Sequence, residues 1–258
     1  MGAMKDRMRL DLLLVERGLA ESREKARAVI MAGLVEVDQV RLEKPGQLVS
    51  IDGNLSLKKS APPYVSRGGL KLKAALQSFS VDVKDRVVLD VGASTGGFTD
   101  CLLQGGARKV IAVDVGHGQL DWRLRRDPRV VLMEKTNARY LSPDDIEERA
   151  DGAVIDVSFI SLRLVIPPVS GLLTAEGWIV ALIKPQFEVG KGQVGKGGVV
   201  RDPRLHQEVV GGLKAFCEGA GWAVKGRMES PLLGPKGNKE FLIHLKRQAQ
   251  RFPPPVHP

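Results

Sequence analysis

Apolar residues along this chain follow two rhythms. In RLDLLLVERG (9–18), Leu10, Leu13, Leu14 and Val15 recur at helical spacing, and Gly18 closes the run. ESREKARAVIMAG predicts a second helix, capped by Ser22 and stopped at Gly33. The period then shortens to two across LVEVDQVRLEKPGQLVS, with turns at Asp38-Gln39 and Pro45-Gly46. Two helices and small strands within residues 1–60 suit an appended module better than an independent fold. Paired prolines in SAPPY break both helix and ladder, so residues 61–66 read as a linker.

Beyond the linker, short apolar runs alternate with helical patterns. Strands are predicted over 86–91, 109–115, 129–134, 152–159 and 178–184, with helices from Gly97, over 119–127 and over 203–219. Strands near 222–229 and 240–246 end the series. This alternation implies an α/β domain over 67–247, with a mostly parallel sheet covered on both faces. Residues 248–258, ending RFPPPVHP, are expected to form a flexible tail.

Composition narrows the function classes. An apolar content of 43% is that of a globular chain, and the net charge of +9 points to a polyanionic partner. The surplus is spread over both parts: 11 Lys/Arg against 9 Asp/Glu in residues 1–65, and 28 against 21 in the remainder. Two cysteines and four scattered histidines argue against a disulfide framework or a metal site and suit a reducing cytoplasm. No signal peptide and no membrane-length apolar run are evident. The three tryptophans are expected to pack in the core.

The stretch LDVGASTGGFTD (89–100) raises the question of a cofactor. Ligands of parallel sheets bind beyond the carboxyl ends of the strands, where Gly92, Gly96 and Gly97 allow close backbone approach. Asp114 ends the next strand and could accept both hydroxyls of a ribose. A dinucleotide and S-adenosylmethionine both fit this much. The G-x-G-x-x-G spacing is not met, however, and Asp90 would repel a pyrophosphate while it could accept a bond from an ammonium group. GKGQVGKGG (190–198) lacks the Ser or Thr of a nucleotide-triphosphate loop. It reads instead as a lid whose Lys191 and Lys196 meet phosphates.

Four charged residues stand in awkward places. Asp156 and Lys184 end apolar strands, Lys71 opens the second domain, and Glu240 begins the last strand. Each alone is as readily a solvated edge residue. Together they suit methyl transfer to an alcohol: Lys184 as base, Lys71 as the neighbouring cation such a base needs, and the acids orienting ammonium and hydroxyl.

SRGGLKL, DVGASTGGFTD, VDVGHGQL, VIDVSFISL, LIKPQFE, GKGGVVRD and GNKEF together resemble the signatures of the TlyA family of ribosomal RNA 2′-O-methyltransferases, over roughly residues 8 to 247. The resemblance implies a class I methyltransferase fold, Rossmann-like with seven strands, behind a small α+β S4 RNA-binding domain. It also implies S-adenosylmethionine as cofactor and a cytidine ribose of ribosomal RNA or ribosomal subunits as substrate. The family's Lys-Asp-Lys-Glu tetrad would fall on Lys71, Asp156, Lys184 and Glu240. Gly92, Ser94, Gly96, Gly97 and Phe98 would form the cofactor loop, with Asp114 at the ribose and Asn137 near the adenine. The S4-like helix pair would present Arg9, Arg23 and Lys25 to RNA, while Arg67 reads equally as a phosphate contact or a helix cap. VDQV departs from the usual Asn-Gly or Asp-Gly turn of S4 domains. Relatives carry haemolysin names, yet nothing in this chain is apolar enough for a pore. The rival readings are a non-catalytic RNA-binding or assembly factor that kept the fold, and a nicotinamide-dependent oxidoreductase.

Overall fold

Apolar residues spaced three and four apart give the first two helices one apolar face each, and small strands cover it. The computed structural model describes residues 6–31, 33–58, 63–190, 192–195 and 197–248, in two units that divide between Pro63 and Tyr64. The first unit contains β1 (Arg7–Arg9), α1 (Leu10–Glu16), α2 (Arg23–Met31), β2 (Val35–Val37), β3 (Val40–Arg41), β4 (Leu48–Ser50) and β5 (Leu55–Leu57). Leu10, Leu13, Leu14, Ala26 and Ile30 pack against Val35, Val37 and Val49. Ser22 Oγ accepts from Lys25 N at 3.2 Å to cap α2, and Gly33 leaves the helix at a φ of 68°. β1 pairs antiparallel with β4, and β2 lies antiparallel between β3 and β5.

Asp38 and Gln39 join β2 to β3 with φ values of 50° and 66°, the left-handed pair that a two-residue hairpin turn requires. The Asp38 side chain also ties the turn to the loop before β5, its Oδ1 accepting from Asn54 N at 2.9 Å. Replacing Gln39 with glycine is expected to stabilise this unit by about 1 kcal/mol. Slower amide exchange along β2 and β3 would report the gain, and unchanged exchange would count against a strained turn.

In the second unit the apolar runs become α3 (Gly68–Ser78), β6 (Val87–Val91), α4 (Gly97–Gln104), β7 (Lys109–Val113), α5 (Trp122–Arg125), β8 (Val130–Met133) and β9 (Ala150–Ile155). They continue as α6 (Leu162–Gly171), β10 (Leu173–Ile183), α7 (Pro203–Gly219), β11 (Trp222–Glu229) and β12 (Phe241–Arg247). One seven-stranded sheet runs in the order β11-β12-β10-β9-β6-β7-β8. β6 to β10 pair in parallel and β12 is antiparallel to both its neighbours, the mostly parallel sheet expected. Alternation along the strands splits the core into two layers. Val88, Val110, Ala112, Val154 and Val180 face α3 and α4, whereas Val87, Leu89, Val91, Ile111 and Ile155 face α6 and α7.

Several boundaries differ from those the sequence suggests. Tyr64 to Ser66 are not linker: Tyr64 is buried in the second unit's core, and Val65 N donates to Asp100 Oδ2 at 2.8 Å. α3 arises despite its two leading glycines because Leu72 and Ala75 are wholly buried. α6 tolerates Pro167 and Pro168 because the carbonyls that lose partners belong to the exposed Arg163 and Leu164, within reach of solvent. The helix expected over 119–127 is a single turn, capped by Asp121. Its Trp122 is 66% exposed instead of packed, unlike Trp178 and Trp222. The expected tail, residues 248–258, lies outside the described residues apart from Gln248.

Candidate active site

The loops that leave β6, β7, β9 and β10 at their carboxyl ends converge on two adjoining cavities. Gly92 turns the chain out of β6 with a φ of 88°, and a Cβ there would overlap the Asp156 carbonyl oxygen. Only glycine lets the loops after β6 and β9 touch backbone to backbone. Ser94 follows in a left-handed conformation at φ 48°, held by a bond from its N to Asp114 Oδ2 at 2.8 Å. Asp114 Oδ1 also accepts from Gly116 N at 2.7 Å, so one carboxylate organises both loops. A cavity of about 910 Å³ opens between them, lined by Gly92, Ser94, Asp114, Gln119 and Asn137. Asn137 Oδ1 accepts from Arg139 N at 3.1 Å, which shapes the turn after β8.

Two residues expected at the cofactor lie behind its wall. Asp90 is fully buried and Thr99 Oγ1 donates to its Oδ2 at 2.6 Å. Burial, with Asp156 and Asp114 adding repulsion, pushes its carboxyl up to about 7 despite the Thr99 bond. It lines neither cavity and lies beneath the glycine loop, with its Oδ1 left without a hydrogen-bond partner. Gly96, at φ 96°, likewise faces Leu120 and Leu124 and serves packing.

The second cavity, about 610 Å³, shares Gly92, Ser94, Asp156 and Ser158 with the first. Gly97 and Phe98 line it, as do Lys71 from α3 and Lys184 from the end of β10. Lys184 Nζ lies 2.6 Å from Asp156 Oδ1, an ion pair outside hydrogen-bond geometry, and donates to Ser158 Oγ at 2.9 Å. Lys71, its side chain only 11% exposed, donates from Nζ to Glu240 Oε2 at 2.5 Å. Glu240 itself is 1% exposed and stays behind the wall, covered by the 233–237 loop. Residues 169 positions apart thus meet, and the quartet resolves into two lysine–acid pairs.

The basic residues expected to meet RNA are differently placed. Arg9 grips the buried Asp11 with two bonds of 2.9 Å, and Arg23 Nε adds a third at 3.0 Å. Arg9 chiefly, then Arg23, hold the Asp11 carboxyl well below the usual carboxylate range against its burial. Lys25 pairs with Glu21 one turn away. These three cations remain at the surface yet are already partnered. Arg67 is exposed at the second cavity, its Nη2 donating to Leu233 O at 3.3 Å; it occupies the N-cap position of α3, but its side chain makes no cap bond. Lys191 and Lys196 lie outside the described residues. Among the described residues no group of three or more metal-ligating side chains forms, and no helix is long and apolar enough to cross a membrane.

Sequence reasoning missed Ser158, Lys236 and Phe159. Lys236 lines the second cavity at a φ of 58°. Phe159 is 91% exposed at a φ of 63°, on the rim of the first cavity, with its ring 4.9 Å from that of Phe187. A strained, exposed aromatic beside a strand-end acid makes Phe159 a candidate functional position. The motif VIDVSFISL contained the signal, an aromatic three residues beyond Asp156 that neither helix nor strand periodicity explains.

The sequence model of the FtsJ-like methyltransferase family matches residues 64–247, and that of the S4 domain matches residues 8–54. The chain is 53% identical to YqxC of Bacillus subtilis, which bears a provisional rRNA methyltransferase name, across 92% of this chain and 85% of that protein. It is 49% identical to the 16S/23S rRNA (cytidine-2′-O)-methyltransferase TlyA of Mycobacterium tuberculosis, across 96% and 93% of the two chains. A solved structure from Streptococcus thermophilus, titled as a hemolysin, superposes with a TM-score of 0.74 at 47% identity, covering 95% of this chain and 90% of that one. The parallel sheet, its paired charges and these relatives agree: the chain belongs to the FtsJ-like methyltransferase family and carries an S4 domain ahead of the methyltransferase domain.

Proposed function

We propose that this protein methylates the 2′-oxygen of a cytidine ribose in ribosomal RNA, using S-adenosylmethionine. The observation that carries this reading is the pairing of Lys184 with Asp156 and of Lys71 with Glu240 at a cavity sharing a wall with the cleft over Asp114. The name of the Mycobacterium tuberculosis relative supports the same substrate and reaction. The larger cavity fits the cofactor because Asp114 stands at the strand end in its wall, with Asn137 and the glycine loop lining it too. Asp114 and Asn137 would hold its adenosine side, and the backbone of the glycine loop its amino-acid side. When bound there, S-adenosylmethionine supplies an electrophilic methyl group.

The protein's own groups then have definite tasks. Asp156 and Ser158 fix the Lys184 Nζ, which, once it has given up its own proton, takes that of the ribose hydroxyl as the new C–O bond forms and the methyl–sulfur bond of the donor breaks to release a thioether. Lys71, braced by buried Glu240, faces the same oxygen from α3. Phe159 offers a ring on which an unstacked base can lie. Arg67, Lys191 and Lys196, with Arg9, Arg23 and Lys25 of the S4 domain, contribute salt-sensitive phosphate contacts, and the cytoplasm is the compartment of such a substrate. Mapping labelled methyl groups on ribosomal RNA treated with the protein tests the reading. Label on a cytidine 2′-oxygen is expected; label on a base, or none from an enzyme that binds the donor, overturns it.

A further inference from the structure

The geometry points to Glu188 as a positioning residue that holds Lys184 and Asp156 in register, although it lines neither cavity. This inference rests on the methyl-transfer reading of those two residues.

Two loops carry the reacting pair. One runs from Asp156, after β9, to the start of α6; the other runs from Lys184, after β10, to Glu188. Lys184 meets Asp156 and Ser158 at their near ends, and the rings of Phe159 and Phe187 touch midway. Glu188 closes the far end with both carboxylate oxygens. Oε2 accepts from Ser161 Oγ and Oε1 from Leu162 N, each at 2.7 Å. Leu162 N belongs to the first turn of α6, one of the donors a helix cannot satisfy internally. Burial pushes the Glu188 carboxyl above its ordinary range, and the two bonds and the helix dipole act against that to keep a carboxylate there.

The path from Glu188 to Lys184 is short and stiff. Pro185 to Phe187 form a single tight turn in which Phe187 N donates to Lys184 O at 2.9 Å and Glu188 N to Pro185 O at 3.0 Å. Pro185 removes one backbone freedom immediately after the lysine. A displacement of Glu188 is therefore passed to the Lys184 backbone instead of being absorbed by a slack loop. In-line transfer tolerates little of this, since a misplacement of about 1 Å can cost about a hundred-fold in rate. Nothing in the spacing of LIKPQFE identifies the glutamate, because its partners lie 26 and 27 residues upstream.

The test compares Glu188→Ala, Glu188→Gln and Ser161→Ala with the wild type in single-turnover methyl transfer to ribosomal RNA, alongside donor affinity by calorimetry. Glu188→Ala is expected to lower the maximal rate at least about ten-fold while donor affinity stays within about three-fold. Glu188→Gln, which can still accept from Leu162 N, is expected to recover most of that loss. Ser161→Ala keeps the Glu188 bond to Leu162 N but removes both the Ser161 bond to Glu188 and the Ser161 Oγ cap on Arg163 N; it covers the case in which Glu188→Ala does not fold, and a several-fold loss of rate is expected. Wild-type rates in a folded Glu188→Ala, a Glu188→Gln no better than alanine, or an indifferent Ser161→Ala would each overturn the role. A wild type that transfers no methyl group to RNA removes the underlying reading instead, so the two failures are distinguishable.

Discussion

Replacing Lys184 with alanine is expected to lower single-turnover methyl transfer at least about a thousand-fold while donor affinity changes by less than about three-fold. Its Nζ makes two contacts, with Asp156 and Ser158, at the wall common to both cavities, and the side chain is only 11% exposed. Positioned proton acceptors contribute about 10²- to 10⁴-fold, and the loss of a fixed attack geometry adds to that. Alanine also leaves Asp156 without its cation beneath the incoming hydroxyl, where an unpaired negative charge opposes formation of the attacking oxyanion. Lys184→Arg restores charge but not function, because a guanidinium keeps its proton at any working pH. The pair of variants thus separates an electrostatic from a proton-accepting role. Activity of Lys184→Arg near wild type would reassign Lys184 to charge alone; activity of Lys184→Ala within ten-fold of wild type would remove it from the chemistry.

How much of this was legible beforehand depends on how local the cause is. Strands β6, β9 and β10 are buried on both faces, so their runs of valine, isoleucine and leucine announce themselves. Asp156 and Lys184 then stand out as charges closing apolar runs. α3 and α6 were hidden because glycine pairs and proline pairs carry local preferences that tertiary burial of Leu72, Val165 and Ile166 overrides. Pairings across the fold were hidden for a different reason. Spacing shows neither that Glu240 braces Lys71 nor that Asp11, in a helix that looked amphipathic, would be buried and would draw in Arg9 and Arg23. Asp90 is the instructive case. Its place before the glycine loop suggested a ligand contact, but strand alternation turns its side chain toward α4 and Thr99.

That placement makes folding stability unusually sensitive to pH through one residue. The folded Asp90 carboxyl titrates near 7, whereas in the unfolded chain it returns to the ordinary aspartate range near 4. Between those values the folded state binds a proton that the unfolded state has lost, so stability falls as pH rises. The full displacement corresponds to about 4 kcal/mol, smaller if the buried site relaxes around the charge. Asp90→Asn can still accept the Thr99 hydroxyl but has nothing to titrate. Its stability relative to the wild type is therefore expected to improve steadily from pH 4 to pH 7.5, by about 2–4 kcal/mol in denaturant unfolding, while other carboxylates cancel between the two proteins. A difference that stays constant across that range would mean the carboxylate is ionised throughout. Donor binding supplies the second half of the test. A residue beneath the loop leaves affinity nearly intact when neutralised, whereas a direct partner of the ammonium group would lose it by at least about ten-fold, the loss of a charge-assisted bond.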